Sequence, residues 1–250
     1  MVKGQGSSGM RVAEGKPQAP IIRTLAFCHP TMSTPLPLAA DISALHDQLL
    51  QVAGWPQTEP ETRDASLWLW VQTNHRNNCR LWLEEDLARR TQVGDNEIAA
   101  NKRAIDGYNQ ARNDATERVD ELLLIALGLV DAASARTDAP VSTVSASARL
   151  NSETAGSIID RMSIMALKIH AMRAQTERRD VGADHIEASR VKLVRLQQQR
   201  GDLGACLDAL VAEARAGTAY FKVYRQFKMY NDPRFNPALV AERAAAARPA

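Results

Sequence analysis

The chain's hydrophobic positions recur every three to four residues over long stretches. Between residues 95 and 130 the apolar positions are Ile98, Ile105, Val119, Leu123, Ala126 and Val130, the spacing of one face of a helix. A second stripe, Ile186, Leu193, Leu196, Leu203, Leu207, Leu210 and Ala214, predicts a helix over 184–216 that Gly217 ends. Residues 151–179 are apolar on almost every side from Ile158 to Met172, the composition of a buried helix. That helix opens at Asn151-Ser152-Glu153-Thr154, where a hydroxyl or amide can accept from the first free backbone N–H groups. A helix is also predicted over 59–90. A shorter one runs from Asp41, as N-cap, to about Gly54, stopping before Trp55-Pro56. No alternating β-branched run is bounded by turn residues. The prediction is an all-α fold, an antiparallel bundle of four long helices plus short flanking helices.

The punctuation sets the organisation. Residues 1–40, crowded with Gly, Ser and Pro, read as a disordered tail, with Met10 and Met32 as alternative starts. Residues 41–237 form a single helical domain, interrupted by a flexible crossing loop at 131–148 (DAASARTDAPVSTVSASA), and 238–250 form an Ala/Arg-rich tail. With 250 residues and 45% hydrophobic content the chain can build one sizeable core. Its net charge of +2, with bases interleaved among acids, excludes a nucleic-acid surface. The longest apolar run, Leu122 to Val130, is far short of the ~20 residues of a spanning helix. Membrane insertion is therefore not expected, no secretory signal is evident, and a soluble cytoplasmic protein is the expectation. Cys28, Cys79 and Cys206 have neither paired spacing nor a histidine cluster nearby, so no disulfide framework, metal site or cofactor is expected.

Polar residues interrupt the stripes. The seam 98, 102, 105, 109, 112, 116, 119, 123 contains Lys102, Asn109 and Arg112, and the seam through Leu67, Val71 and Leu81 contains Asn74, Asn78 and Glu85. Arg200 falls among Leu193, Leu196, Leu203 and Leu207, while Asp160, Arg161, Lys168 and His170 are the ionisable residues between Ile158 and Met172. A charge buried in such a stripe is costly unless paired. Arg and Lys stems can lie along a core edge, and asparagines can fix register, which is the bland account of each residue alone. Together they predict a polar layer lining a cavity between helices, with cations in excess, suited to a phosphate or carboxylate. No Glu-x-x-His pair, Gly-x-Ser-x-Gly elbow or Gly-rich phosphate loop is present. The stretch KRAIDGYNQARND is faintly similar to the first helix of chorismate mutases, but breaks from it at Asn109-Gln110 and Arg112-Asn113-Asp114.

Five motifs in order carry a wider resemblance: Asn74 to Asn78 with LWLEEDLARR (81–90), NKRAIDGYNQARNDATERVDE (101–121), NSETAGSIIDRMSIMALKIHAM (151–172), LQQQRGDLGACLDAL (196–210) and YRQFKMYNDPRFNP (224–237). Over roughly residues 42–237 the chain resembles the bacterial domain of unknown function 4254 family. The resemblance implies an all-helical protein, often encoded beside cell-envelope polysaccharide and glycosyltransferase genes, and supplies no reaction. Trp82, Glu85, Asp86 and Arg89 match the first block, Arg112, Asn113 and Asp114 the second, Gly156, Asp160, Arg161 and Lys168 the third, and Arg200 and Arg225 the last two. Leu83 departs from it, since a polar residue, often histidine, is expected there.

Stripes and motifs together give a candidate ligand-binding set: Asn74, Asn78, Glu85, Arg89, Asn109, Arg112, Asn113, Asp160, Arg161, Lys168 and Arg200. The expected ligand is an anionic small molecule, a phosphorylated or nucleotide-linked sugar in an envelope-glycan setting. The alternative is a non-catalytic adaptor that binds a glycosyltransferase or forms a homo-oligomer, and a chorismate-mutase-like helical enzyme is the remote one. Whether Arg112, Lys168 and Arg200 converge on one cavity separates the first two readings. Tyr224 to Pro237 reads as a closing helix whose aromatics cap the bundle.

Overall fold

The computed structural model describes Met1 and residues 36–58, 66–226, 229 and 232–246. Most of the expected tail, and the stretch 59–65 where the second helix was expected to begin, lie outside the described residues. The elements are α1 Ala39–Leu49, α2 Leu67–Leu87, α3 Asp95–Ala126, β1 Arg149–Leu150, α4 Ala155–Thr176, α5 Ala183–Arg215, β2 Ala219–Tyr220 and α6 Pro237–Ala246. The all-α expectation with four long helices holds, and the two strands are only two residues each.

Side-chain contacts give the helix directions. Asn74 and Asn78 of α2 meet Asp160 and Ser163 of α4 in the same order, so these two helices run parallel. In α3 the order is reversed: Asp120 meets Gly156 and Arg112 meets Asp160, which makes α3 antiparallel to both. Short turns fold α2 on α3 and α4 on α5 as antiparallel hairpins. α1 lies antiparallel to α5, with Asp208 accepting from Ala39 N (2.9 Å) at one end and Arg200 bound to Asp47 at the other. The core between these helices contains Ile42, Val71, Val119, Leu123, Ile158, Ile159, Met162, Leu207 and Leu210, and Phe221 closes it from beyond β2. α4 sits in the middle, in contact with α1, α2, α3 and α5. Its all-round apolar composition follows from that position.

Local chemistry sets the ends. Thr154 caps α4, its Oγ1 accepting from Ser157 N at 3.1 Å, which places the anticipated hydroxyl cap on the last residue of Asn151–Thr154. Asp41 is not the N-cap of α1. The helix begins at Ala39, and Asp41 sits two residues in, where its carboxylate accepts from Leu38 N at 3.3 Å and favours the positive end of the helix. β1 and β2 pair in parallel, Arg149 with Ala219 and Leu150 with Tyr220, and so join the two ends of the α4–α5 hairpin. The crossing loop is held by an isolated bridge between Val130 and Ser142 and by Ala135, which is buried in the core. Arg225 fastens it further, donating to the carbonyls of Ala135 (2.9 Å) and Thr137 (3.1 Å) while paired with Glu117 (3.0 Å) and Glu121 (2.6 Å) of α3.

The closing-helix reading of Tyr224–Pro237 is not upheld. Residues 221–226 belong to no helix, 227, 228, 230 and 231 lie outside the described residues, and Tyr224 and Phe235 are exposed. Phe221, three residues earlier, fills the space they were expected to cap. The final helix, α6, instead falls where an Ala/Arg-rich tail was expected, and none of its residues is buried.

α3 packs closely against α4 at Gly156, where an added Cβ would lie 2.6 Å from the Thr116 carbonyl oxygen and 2.9 Å from the Asp120 carboxylate. A Cβ at Gly201, within α5, would meet nothing within 4 Å. Gly156→Ala is expected to destabilise the protein by about 1–3 kcal/mol through overpacking, whereas Gly201→Ala is neutral or stabilising. Thermal unfolding followed by circular dichroism checks this, and equal melting temperatures for the two variants would refute it.

Candidate functional site

At the junction of α2, α3 and α4 one carboxylate oxygen gathers the polar residues of three helices. Oδ1 of Asp160 accepts from the side-chain amides of Asn74 (2.8 Å) and Asn78 (2.9 Å). Asn74 also donates to Thr116 Oγ1 at 3.0 Å, and Asn78 to Ser163 Oγ at 3.0 Å and Asn74 Oδ1 at 3.2 Å. Both asparagines are buried, as a satisfied polar network inside a bundle permits. Arg112 approaches from α3, its Nε 3.9 Å from Asp160 Oδ1 and its terminal nitrogen 3.2 Å from Asn113 Oδ1. That Nε is buried and has no hydrogen-bond partner.

Outside this junction lies an open cavity of about 330 Å³ between α2, α3 and α4. Asn78 and Arg112 form its floor, with Asn109 beside them, Trp82, Glu85, Asp86 and Arg89 along the α2 side, and Ile164 and Leu167 on the α4 side. Arg89 is tied at 2.7 Å to Glu85, one turn before it on α2. The wall thus carries two carboxylates and two guanidiniums, and Arg112 is the one facing its carboxylate at the longer distance. Asn113 leaves the cavity to donate to Gln226 at 2.8 Å. Leu83 is exposed and does not line the cavity.

The remaining predicted residues go elsewhere. Arg161 and Lys168 line a separate cavity of about 590 Å³ between α4 and α5, with Glu153, Gln199, Asp202 and Cys206, and Arg161 pairs with Glu153 at 2.5 Å. Arg200 is bound to Asp47 of α1 through two hydrogen bonds, 2.6 and 3.1 Å, in the bidentate geometry a guanidinium favours. Arg112, Lys168 and Arg200 therefore do not converge. Each residue along a helix turns by ~100°, so Asp160 and Arg161 face different neighbours of α4. α1, taken as a flanking helix, supplies the acid that Arg200 needs. The expected cation excess in one layer is replaced by a charge-balanced cavity at Arg112 and a separate one at Lys168. Lys102, counted in the seam, is exposed and pairs with Asp106 at 2.6 Å.

Two buried features escaped the reading of the sequence. His46 and His75 stack with ring centroids 4.5 Å apart, and Trp55 stacks on His75 at 5.9 Å. His75 Nδ1 bonds Ser163 Oγ at 2.8 Å, and its Nε2 lies 3.7 Å from Cys79 Sγ, which accepts from Trp55 Nε1. Burial lowers His75 to about 4, against the opposing pull of Asp47. His46 is held well below the usual imidazole range by burial, then by His75 and Arg200. No sequence neighbour reveals the stacking partner of His75, which lies on another helix. The other feature is Asp120, fully buried, whose carboxylate accepts from Gly156 N at 2.6 Å and from the Thr154 side chain. Burial outweighs those bonds and, with Glu117 and Glu121 nearby, raises its pKa to about 7. Its one signal in the sequence is the acidic pair Asp120-Glu121 set between Val119 and Leu122.

This is an all-helical bundle protein with a satisfied polar junction beneath an open, charge-balanced cavity. The chain belongs to the family described as Protein of unknown function (DUF4254), whose family model matches residues 68–223, from the first turn of α2 to just past β2. No curated protein and no solved structure matches the chain. Among the described residues no group of three or more acids, histidines or cysteines could hold a metal ion, and no helix is long and apolar enough to cross a membrane.

The two buried features oppose each other in acid. Unfolded imidazole takes up a proton near 6.5, whereas folded His75 does so only at about 4. Over that window the unfolded state binds more protons and stability falls as pH falls. Asp120 is the reverse case, because its folded form protonates at about 7 and its ordinary value is 3.8, so acidification across that range favours the fold. In Asp120→Asn the histidines act unopposed, and stability measured by urea unfolding is expected to fall more steeply between pH 6.5 and 4 than in the unmodified protein. Equal slopes would show that Asp120 does not hold its proton there.

Proposed function

We propose that the cavity at Arg112 binds a phosphorylated sugar, in the envelope-glycan setting that the family resemblance implies. The observation that carries this reading is the Arg112 guanidinium, which lines the cavity floor with its nearest carboxylate oxygen 3.9 Å away. A phosphate oxygen would bond the terminal nitrogens of this guanidinium, the charge-assisted geometry that arginine favours. The rest of the wall suits the sugar. Trp82 offers an apolar ring face, while Glu85, Asp86, Asn78 and Asn109 offer acceptors and amides for hydroxyl groups. The balanced wall charge favours a ligand with one anionic group and many hydroxyls over a bare anion. A nucleotide-linked sugar shares this recognition and extends beyond the cavity.

The adaptor reading draws on the exposed apolar residues of the α5 N-terminal half, Val191 and Val194. Calorimetric titration with glucose 6-phosphate separates the two. Binding is expected, and Arg112→Ala is expected to weaken it roughly 10- to 100-fold, as loss of a hydrogen bond to a charged group does, with the melting temperature otherwise preserved. Absence of heat with glucose 6-phosphate, or equal affinity in Arg112→Ala, would count against the cavity and leave the adaptor reading standing.

A further inference from the structure

The two cavities are adjacent across a single residue. Ile164 lines both, with Leu167 facing the Arg112 side and Met165 and Lys168 the α5 side. Arg112 reaches α4 at the level of Asp160, one turn before Ile164, and Lys168 lies one turn after it. Helical side chains lean toward the N-terminus, so the Lys168 stem covers the turn that contains Ile164. Eight residues at ~1.5 Å each put the two cationic levels about 12 Å apart along the helix. The intervening surface is the Ile164 side chain, which is half-buried and apolar.

Among the cations on this face, Arg89 is held by Glu85 and Arg161 by Glu153. Lys168 is exposed and has no ion-pair or hydrogen-bond partner among the described residues. Asp202 lines the same cavity without closing a salt bridge to it. An exposed lysine is ordinarily solvated and signifies nothing alone. Its significance here comes from its position, on the far side of an apolar saddle from the only other cation of the two walls that lacks a close carboxylate.

We propose that the two cavities form one bipartite cleft for an elongated sugar carrying an anionic group at each end, with Arg112 taking one phosphate, the sugar ring crossing Ile164, and Lys168 taking the other. This rests on the reading of the Arg112 cavity as a sugar-phosphate site and extends it to the class of bisphosphorylated sugars. The larger cavity, about 590 Å³, has room for the second half, and Gln199 and Asp202 there can bond further hydroxyls. Arg supplies the planar, bidentate end and Lys the point-charge end, so the cleft also sets the direction in which such a ligand lies.

The test compares glucose 1,6-bisphosphate with glucose 6-phosphate by calorimetric titration at fixed ionic strength. The unmodified protein is expected to bind the bisphosphate at least tenfold more tightly. In Lys168→Ala that ratio is expected to fall to about one, and Lys168→Arg restores most of it. Lys192→Ala, which removes the same charge from an exposed site on α5, keeps the ratio and so excludes a general charge effect. If glucose 6-phosphate binds but the bisphosphate is no tighter, or the preference survives in Lys168→Ala, the cleft is refuted while the single cavity stands. If neither sugar binds, both fall.

Discussion

Everything in this bundle is arranged about one carboxylate oxygen. Asp160 Oδ1 accepts from Asn74 and Asn78 and faces Arg112, so a single atom of α4 sets the register of α2 beside it and the height of α3 across it. A half-buried carboxylate is stabilised by such partners, and the buried asparagines in turn are tolerable because the carboxylate satisfies them. Shift α2 by one residue and both asparagine amides lose their acceptor. The junction therefore selects one packing among those that the apolar stripes alone would allow, the best-attested role of buried polarity in helical assemblies. It also leaves one member, Arg112, at the edge of the open cavity, with its buried Nε 3.9 Å from the carboxylate.

Ile158, Ile159 and Met162 of α4 and Leu207 and Leu210 of α5 were legible as core positions, because a helical period written in large apolar residues has one structural solution. The polar interruptions were legible as well, and Asn74, Asn78 and Asp160 do meet. What was not legible is pairing. The period places Asp160, Arg161 and Lys168 on one helix but does not say which neighbouring helix each will face. It places Arg200 on a leucine stripe but cannot show that Asp47 waits on α1. The stacked His46 and His75, and Asp120 beneath Gly156, were missed for the same reason: each is defined by a contact between residues far apart in the chain. At the C-terminal end, composition alone did not reveal that Ala-rich 238–246 forms most of α6, as the helix preference of alanine allows.

The site borrows its rigidity from the fold at little added expense. Its floor is built from residues already fixed by the junction, and its walls stand on long helices in place of loops, which hold side-chain geometry better. Charges in the walls are largely self-compensated, with Arg89 against Glu85 and Arg161 against Glu153. A balanced wall exerts little long-range pull on ions in general. Arg112, 3.9 Å from its carboxylate, and Lys168, with no ion pair among the described residues, are the least compensated cations of the two walls.

The pairing of β1 with β2 has a mechanical meaning. Arg149 N reaches the Thr218 carbonyl and Asn151 N the Tyr220 carbonyl, so the α4–α5 hairpin is a closed ring of chain pinned at its base, where Asp120 and Thr154 also grip the first turn of α4. Its other end, the turn after Thr176, has no strand pairing to restrain it. A hairpin clamped at one end and loose at the other behaves as a cantilever. The stretch near Gly156 is therefore the anchored root of the hairpin, while the helix ends around 176–183 are joined by side chains such as His185 and Gln175 instead of by strand pairing.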